Sequence, residues 1–138
     1  MSGTIRGHCN CSSVKIEIDS SVFPKQSLLC HCRNCRASCG SVFSTNLVVP
    51  SDEVKIVSGS EHIKEYRDRN TETGHTAVRC FCALCGSPIR TYVAEANETS
   101  YVKGGLFEPG QVPPPAMEIF KRRCEEWEPL HGEVQAID

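Results

Sequence analysis

The sequence predicts an all-β fold. Three observations point there: apolar and charged residues alternate with period two from Val14 to Ile18, turn signals recur at short intervals, and no long amphipathic helix pattern is found. With 138 residues and no break in composition, one domain spanning residues 1–138 is expected, with room for a modest core.

The elements follow in order. Val14, Ile16 and Ile18 alternate with Lys15 and Glu17, so one face of this strand meets a core and the other meets water. Ser41–Val49 is rich in β-branched and aromatic residues and stops at the turn Pro50-Ser51-Asp52. Val54–Val57 is a short apolar strand closed by Ser58-Gly59. His62–Arg67 reads as another, with Ile63 and Glu65 on one side and Lys64 and Tyr66 on the other. Asp68–Gly74 is polar and reads as a loop. Thr76–Cys82 and Pro88–Val93 form a hairpin-like pair bent at Gly86. Ser100–Lys103 ends at Gly104-Gly105, the proline-rich stretch from Pro109 to Pro115 is extended or irregular, and Met117–Phe120 makes a last short strand. Arg33–Ser38 is the one helical turn expected.

A formal net charge of −2 argues against a nucleic-acid partner, which selects for a basic face. The basic run Lys121-Arg122-Arg123 is followed at once by Glu125, Glu126 and Glu128. No apolar stretch approaches the ~20 residues needed to cross a bilayer, so no membrane partner is expected. The first residues carry no secretory signal, which makes the expected compartment the cytoplasm or nucleus and the two glycosylation sequons, at Asn10 and Asn97, coincidental. Oligomeric state is left open.

The chemistry lies in the cysteines. Eight of the ten fall in three knots: Cys9-Asn10-Cys11, Cys30-His31-Cys32-Arg33-Asn34-Cys35 and Cys80-Phe81-Cys82-Ala83-Leu84-Cys85. Thiolates one or two residues apart converge readily on one tetrahedral ion, and soft sulfur selects Zn²⁺. Disulfides are disfavoured by the reducing compartment and by the difficulty of bridging cysteines one residue apart. Cys82 and Cys85 have zinc-knuckle spacing and can complete a four-cysteine structural site with Cys9 and Cys11. Cys30, Cys32 and Cys35 then offer three thiolates and an open position, the arrangement of a catalytic ion. Spacing alone leaves other pairings open, because Cys39 or Cys80 could fill that position.

Gly7-His8-Cys9-Asn10-Cys11, Cys30-His31-Cys32-Arg33-Asn34-Cys35-Arg36 and Phe81-Cys82-Ala83-Leu84-Cys85-Gly86-Ser87 together resemble the three signatures of the glutathione-dependent formaldehyde-activating enzyme family, which includes the centromere-protein-V proteins. Gly104-Gly105-Leu106-Phe107 and Trp127 extend the resemblance along the chain. It implies a β-tent, antiparallel sheets with zinc sites between them. It further implies two zinc ions per chain, a structural one on Cys9, Cys11, Cys82 and Cys85 and a catalytic one on Cys30, Cys32 and Cys35. Cys39 and Cys80 depart from the usual pattern. Cys39 reads as a small buried residue or free thiol, Cys80 as an alternative ligand, and Cys124 as unliganded.

For such proteins the implied reaction joins or cleaves a carbon–sulfur bond in a thiol adduct such as S-hydroxymethylglutathione. A zinc-stabilised binding module, and a metabolic enzyme using the same zinc for hydrolysis, decarboxylation or isomerisation, are the competing readings. The binding module is disfavoured by the lack of a basic or proline-rich extension. Arg33, Arg36 and Arg90 are the cations nearest the knots in sequence, with surface ion pairing the plainer role for Arg33 and Arg36. His31, between two ligands, should point away from the metal into a supporting or packing role. His62 and His75 read as exposed, and Trp127 and Phe107 as core residues.

Overall fold

In a computed structural model of the chain, which describes residues 3–131 and 135–137, eleven strands, one short α-helix and four single-turn 3₁₀ helices are present. They run β1 (Thr4–His8), β2 (Lys15–Asp19), β3 (Ser27–Cys30), α1 (Arg33–Cys39), β4 (Ser44–Pro50), β5 (Lys55–Ser58), β6 (Ile63–Asp68), β7 (Ala77–Cys82), β8 (Pro88–Val93), β9 (Ala96–Lys103), β10 (Pro115–Ile119) and β11 (Gln135–Ile137). A three-stranded sheet has the order β1-β2-β5, and an eight-stranded sheet the order β11-β10-β3-β4-β9-β8-β7-β6. The all-β, largely antiparallel architecture is therefore as the sequence predicts. One departure is that β10 lies parallel to both β3 and β11.

The alternation in β2 does what it foretells. Val14, Ile16 and Ile18 are fully buried and face Leu47, Val49, Ile89, Val102 and Phe107 of the large sheet and its adjoining turn, forming one core between the two sheets. Phe107 meets Phe23 edge to face at 5.3 Å. Trp127 corrects the expectation: it is 71% exposed. It sits in a polar turn where Glu128 N–H donates to the Glu125 carbonyl at 3.1 Å, outside the core.

Three strands escaped the sequence reading. β1 (TIRGH) offers a single large apolar side chain, β3 (SLLC) is only four residues long, and β11 only three. Their pairing comes from distant partners, not from a local pattern. β4 begins at Ser44 instead of Ser41, because the chain must first turn out of α1, which ends in a left-handed Gly40. The edge strand β6 carries Lys64, Glu65 and Arg67 in exposed positions, which blunts edge-to-edge association.

Gly59 locks the small sheet in place. Its φ is +78°, and a Cβ there would stand 2.0 Å from the Ser13 carbonyl oxygen in the turn before β2. Gly59→Ala should therefore cost about 2–4 kcal/mol, through strain and backbone displacement together. Chemical denaturation checks this, and a loss under about 0.5 kcal/mol would show that the turn yields freely.

Candidate metal centres and the adjoining cavity

The knots collect into two groups. One donor atom from each of Cys9, Cys11, Cys82 and Cys85 lies within 4.8 Å of the others. Cys9 and Cys11 come from the turn after β1, Cys82 from the end of β7, and Cys85 from the turn before β8. Both turns are built around the sulfurs. The Val14 N–H donates to Cys9 Sγ at 3.2 Å, and Gly86, at φ +79°, donates to the Cys82 carbonyl at 2.7 Å. Asn10 N–H donates to Ser87 Oγ at 2.9 Å and joins one turn to the other. This cluster consequently lies between the two sheets.

Its spacing fits a four-coordinate ion. A tetrahedron with Zn–S bonds of about 2.3 Å has sulfur–sulfur edges of about 3.8 Å. The observed separations are 3.6 Å for Cys9–Cys11 and 3.9 Å for Cys11–Cys82. As free thiols the four would be ill matched. Hydrogen bonding from Ser87 holds Cys85 down at about 5, while burial pushes Cys82 up to about 11. A cation removes the mismatch by taking all four as thiolates.

Cys30, Cys32 and Cys35 form the second group. Cys30 ends β3 and Cys32 caps α1, its Sγ accepting from the Cys35 N–H at 3.3 Å. One helical turn thus brings Cys35 back over Cys32. Cys39 and Cys80 belong to neither group. Cys80 lies opposite Glu65 of β6, and its Sγ faces the Glu65 carboxylate at 4.0 Å. Neither Cys39 nor Cys80 supplies a sulfur within 4.8 Å of all the donors of either group.

The cations beside the second group are not those nearest in sequence. Arg33 is exposed, Arg36 pairs with Glu125 at 2.6 Å, and Arg90 binds Ser100 Oγ at 3.0 Å and lies over the Tyr92 ring. Arg79 and Lys103 take the place instead. Arg79 reaches to 3.8 Å from Cys35 Sγ, and Lys103, 6% exposed, donates to Asn46 Oδ1 at 2.7 Å. Burial depresses the Lys103 ammonium, against the pull of the nearby Cys39 and Cys35 thiols. The Cys35 thiol is driven well below its ordinary value by hydrogen bonds from Cys30 and Cys32, helped by the charges of Lys103 and Arg79. Asp68, at the end of β6, fixes this arrangement by accepting from Arg79 Nε at 2.9 Å and Asn34 Nδ2 at 2.8 Å.

Both cations line a cavity of about 200 Å³ that also contains Cys30, Cys32 and Cys35. Leu28, Ile119 and Phe120 supply apolar wall, and Glu72 and His75 line it from the loop between β6 and β7. Glu72 Oε1 accepts from Arg122 and Arg123, both at 2.8 Å, and these partners hold the carboxyl below its ordinary value. Its Oε2 is buried without a hydrogen-bond partner. His75 is exposed, as expected, and His62 half-buried. Arg79, Lys103 and Glu72 were missed by sequence reasoning. Arg79 carried one faint signal, a cation set between apolar Val78 and Cys80 in a strand.

The sequence model described as glutathione-dependent formaldehyde-activating enzyme matches residues 4–123. The chain belongs to this family. A crystal structure of a Rhodobacter sphaeroides protein shares its fold, with a TM-score of 0.60 and 23% identity over 79% of this chain and 98% of that one. In this family member the resemblance carried by the three knots is thus confirmed. No helix among the described residues is long and apolar enough to cross a membrane.

The Asp68 ion pair gives a measurable pH dependence. Burial raises the Asp68 carboxyl, but hydrogen bonds from Asn34 and Arg79, with the Arg79 charge, outweigh it and leave the group below its ordinary 3.8. Because folding lowers this pKa, the pair stabilises fully above the unfolded value, and the contribution is lost as pH falls through the folded one. Asp68→Asn should cost about 2–4 kcal/mol at neutral pH by leaving Arg79 uncompensated. The gap to the parent should narrow as pH drops below 3.8. Denaturation at a series of pH values tests this, and a constant gap would dissociate the loss from ionisation.

Proposed function

We propose that this chain is a zinc-dependent carbon–sulfur lyase-type enzyme acting on the adduct of a thiol, glutathione or a relative, with a small aldehyde or related carbonyl compound. In this reading Cys9, Cys11, Cys82 and Cys85 hold a structural zinc, and Cys30, Cys32 and Cys35 a second one at the reacting centre. The observation that carries it is the three-thiol group opening on a cavity flanked by two cations, Arg79 and Lys103. One core shared by both sheets supports a single domain.

Zinc with three protein ligands, when bound, supplies an open position that acidifies a thiol and polarises a carbonyl oxygen. The chain's own residues account for the remainder. Arg79 and Lys103 offset the negative charge of three thiolates and attract an anionic sulfur ligand. Leu28, Ile119 and Phe120 keep water from the adduct. Glu72 is held ionised by Arg123 and Arg122, so its free Oε2 accepts a hydrogen bond from the adduct hydroxyl. As the carbon–sulfur bond breaks, its electron pair remains on sulfur and the O–H pair becomes the carbonyl π bond. The hydroxyl proton passes to Glu72 Oε2, and the departing thiolate is stabilised by Lys103 and Arg79. Run backwards, the same groups join thiol and aldehyde.

The two groups should respond differently to substitution. Cys9→Ser should lose one zinc equivalent together with cooperative unfolding, whereas Cys32→Ser should lose one equivalent and remain folded; equal collapse of both would make each site architectural. For the reaction itself, the zinc-loaded chain should accelerate exchange between formaldehyde, glutathione and S-hydroxymethylglutathione, followed by NMR. Lys103→Met should reduce that acceleration about 10–100-fold with the fold intact. A rate equal to buffer, with no shift of Cys30–Cys35 resonances at millimolar glutathione, would sink the reading.

A further inference from the structure

His31 lies between Cys30 and Cys32 in sequence but turns away from their cluster. Its Nε2 donates to Glu118 Oε1 at 2.9 Å, and both side chains are fully buried. Glu118 is held in turn, its Oε2 accepting from the His131 backbone N–H at 3.1 Å. With Nε2 committed as a donor, a neutral imidazole leaves Nδ1 a bare lone pair. Nδ1 has no hydrogen-bond partner among the described residues. The atom it faces is Glu128 Oε2 at 3.3 Å, itself buried and without a partner. Cys124 completes the group, with one donor atom from each of the three residues within 4.8 Å of the others.

Two lone-pair atoms facing each other in the interior require either a proton shared between them, on Nδ1 or on the carboxyl, or a metal cation. The distance and the neighbouring thiol favour the cation. A charge-assisted N–H···O bond closes to about 2.7–2.9 Å. Nitrogen and oxygen bound tetrahedrally to zinc at about 2.0–2.1 Å stand about 3.3–3.4 Å apart. The observed 3.3 Å matches the second case. A proton also gives no reason for a thiol to converge on the same point, whereas a borderline-soft cation does. The buried carboxylate on the far ring nitrogen completes the pattern, because metal-bound imidazoles donate their other N–H to such a partner and so fix their orientation.

We infer that His31 Nδ1, Cys124 Sγ and Glu128 Oε2 form a third metal site, for a divalent transition ion of the zinc class, with Glu118 orienting the imidazole. Two of its three donors lie beyond residues 4–123, which the family model matches. The site ties the turn carrying Cys124 and Glu128 to the junction of β3 and α1. It therefore braces, from behind, the segment on which Cys30 and Cys32 are mounted. The inference concerns binding alone and does not depend on the proposed reaction.

The test uses the full chain, purified without chelator and loaded with zinc. Metal analysis should give about three equivalents for the parent and about two for Cys124→Ser and for Glu128→Gln, with folding followed by circular dichroism. Metal content in the folded variants equal to that of the parent overturns the site. Should the variants fold poorly, long-range ¹H–¹⁵N NMR of the parent decides. An unprotonated, metal-shifted His31 Nδ1 supports the site, and an imidazolium protonated on both nitrogens defeats it. Because the readout is the His31 ring and metal content, not turnover, its failure leaves the proposed reaction standing, and the converse also holds.

Discussion

Two turns whose cysteines stand 71 residues apart must bring four sulfurs within bonding range of one point, and the rest of the molecule is arranged around that requirement. The turn after β1 belongs to the small sheet and the turn after β7 to the large one. Setting them together closes the space that Val14, Ile16 and Ile18 then fill against Leu47 and Val102. It also fixes β7. That strand delivers Cys82 to one cluster and Arg79 to the other, so the four-cysteine cluster and the cavity are positioned by one piece of backbone.

What the sequence disclosed and what it withheld divide along a physical line. Cysteine groupings written as short spacings were legible, because Cys9 with Cys11, Cys82 with Cys85 and the triplet at 30–35 need only a turn to converge. Strands with their own alternation, such as β2 and the β7–β8 pair, were equally plain. The cations were not. Lys103 becomes a buried neighbour of Cys35 only when β9 takes its register on β4 and Asn46 fixes the ammonium. Arg79 becomes one only when Asp68, eleven residues away, closes on its guanidinium. Arg36 sat closer in sequence but found Glu125 across the fold. Trp127 misled because an aromatic near the end of a chain reads as a core anchor, whereas its turn is satisfied by backbone and glutamate contacts.

The segment Cys30–Cys32 separates two electrostatic environments over three residues. Its sulfurs face Arg79 and Lys103, while His31 faces Glu118 and Glu128. The helical turn that follows begins at Cys32 and adds Cys35 to the sulfur side. The alternation that hides apolar residues in β2 here sorts donors of opposite preference, soft sulfur toward one side and imidazole with carboxylates toward the other.

The parallel seating of β10 against β3 has a consequence during synthesis. Ser27 Oγ donates to the Pro113 carbonyl across 86 residues, and the backbone N–H of His31 is satisfied only by Ile119. On the ribosome, β3 and its antiparallel partner β4 emerge early, so one flank of that ribbon stays open until β10 has been translated. Vectorial growth therefore leaves the nascent protein with an unzipped seam beside the segment that carries Cys30 and Cys32, and it stays so until β10 is made and pairs with β3.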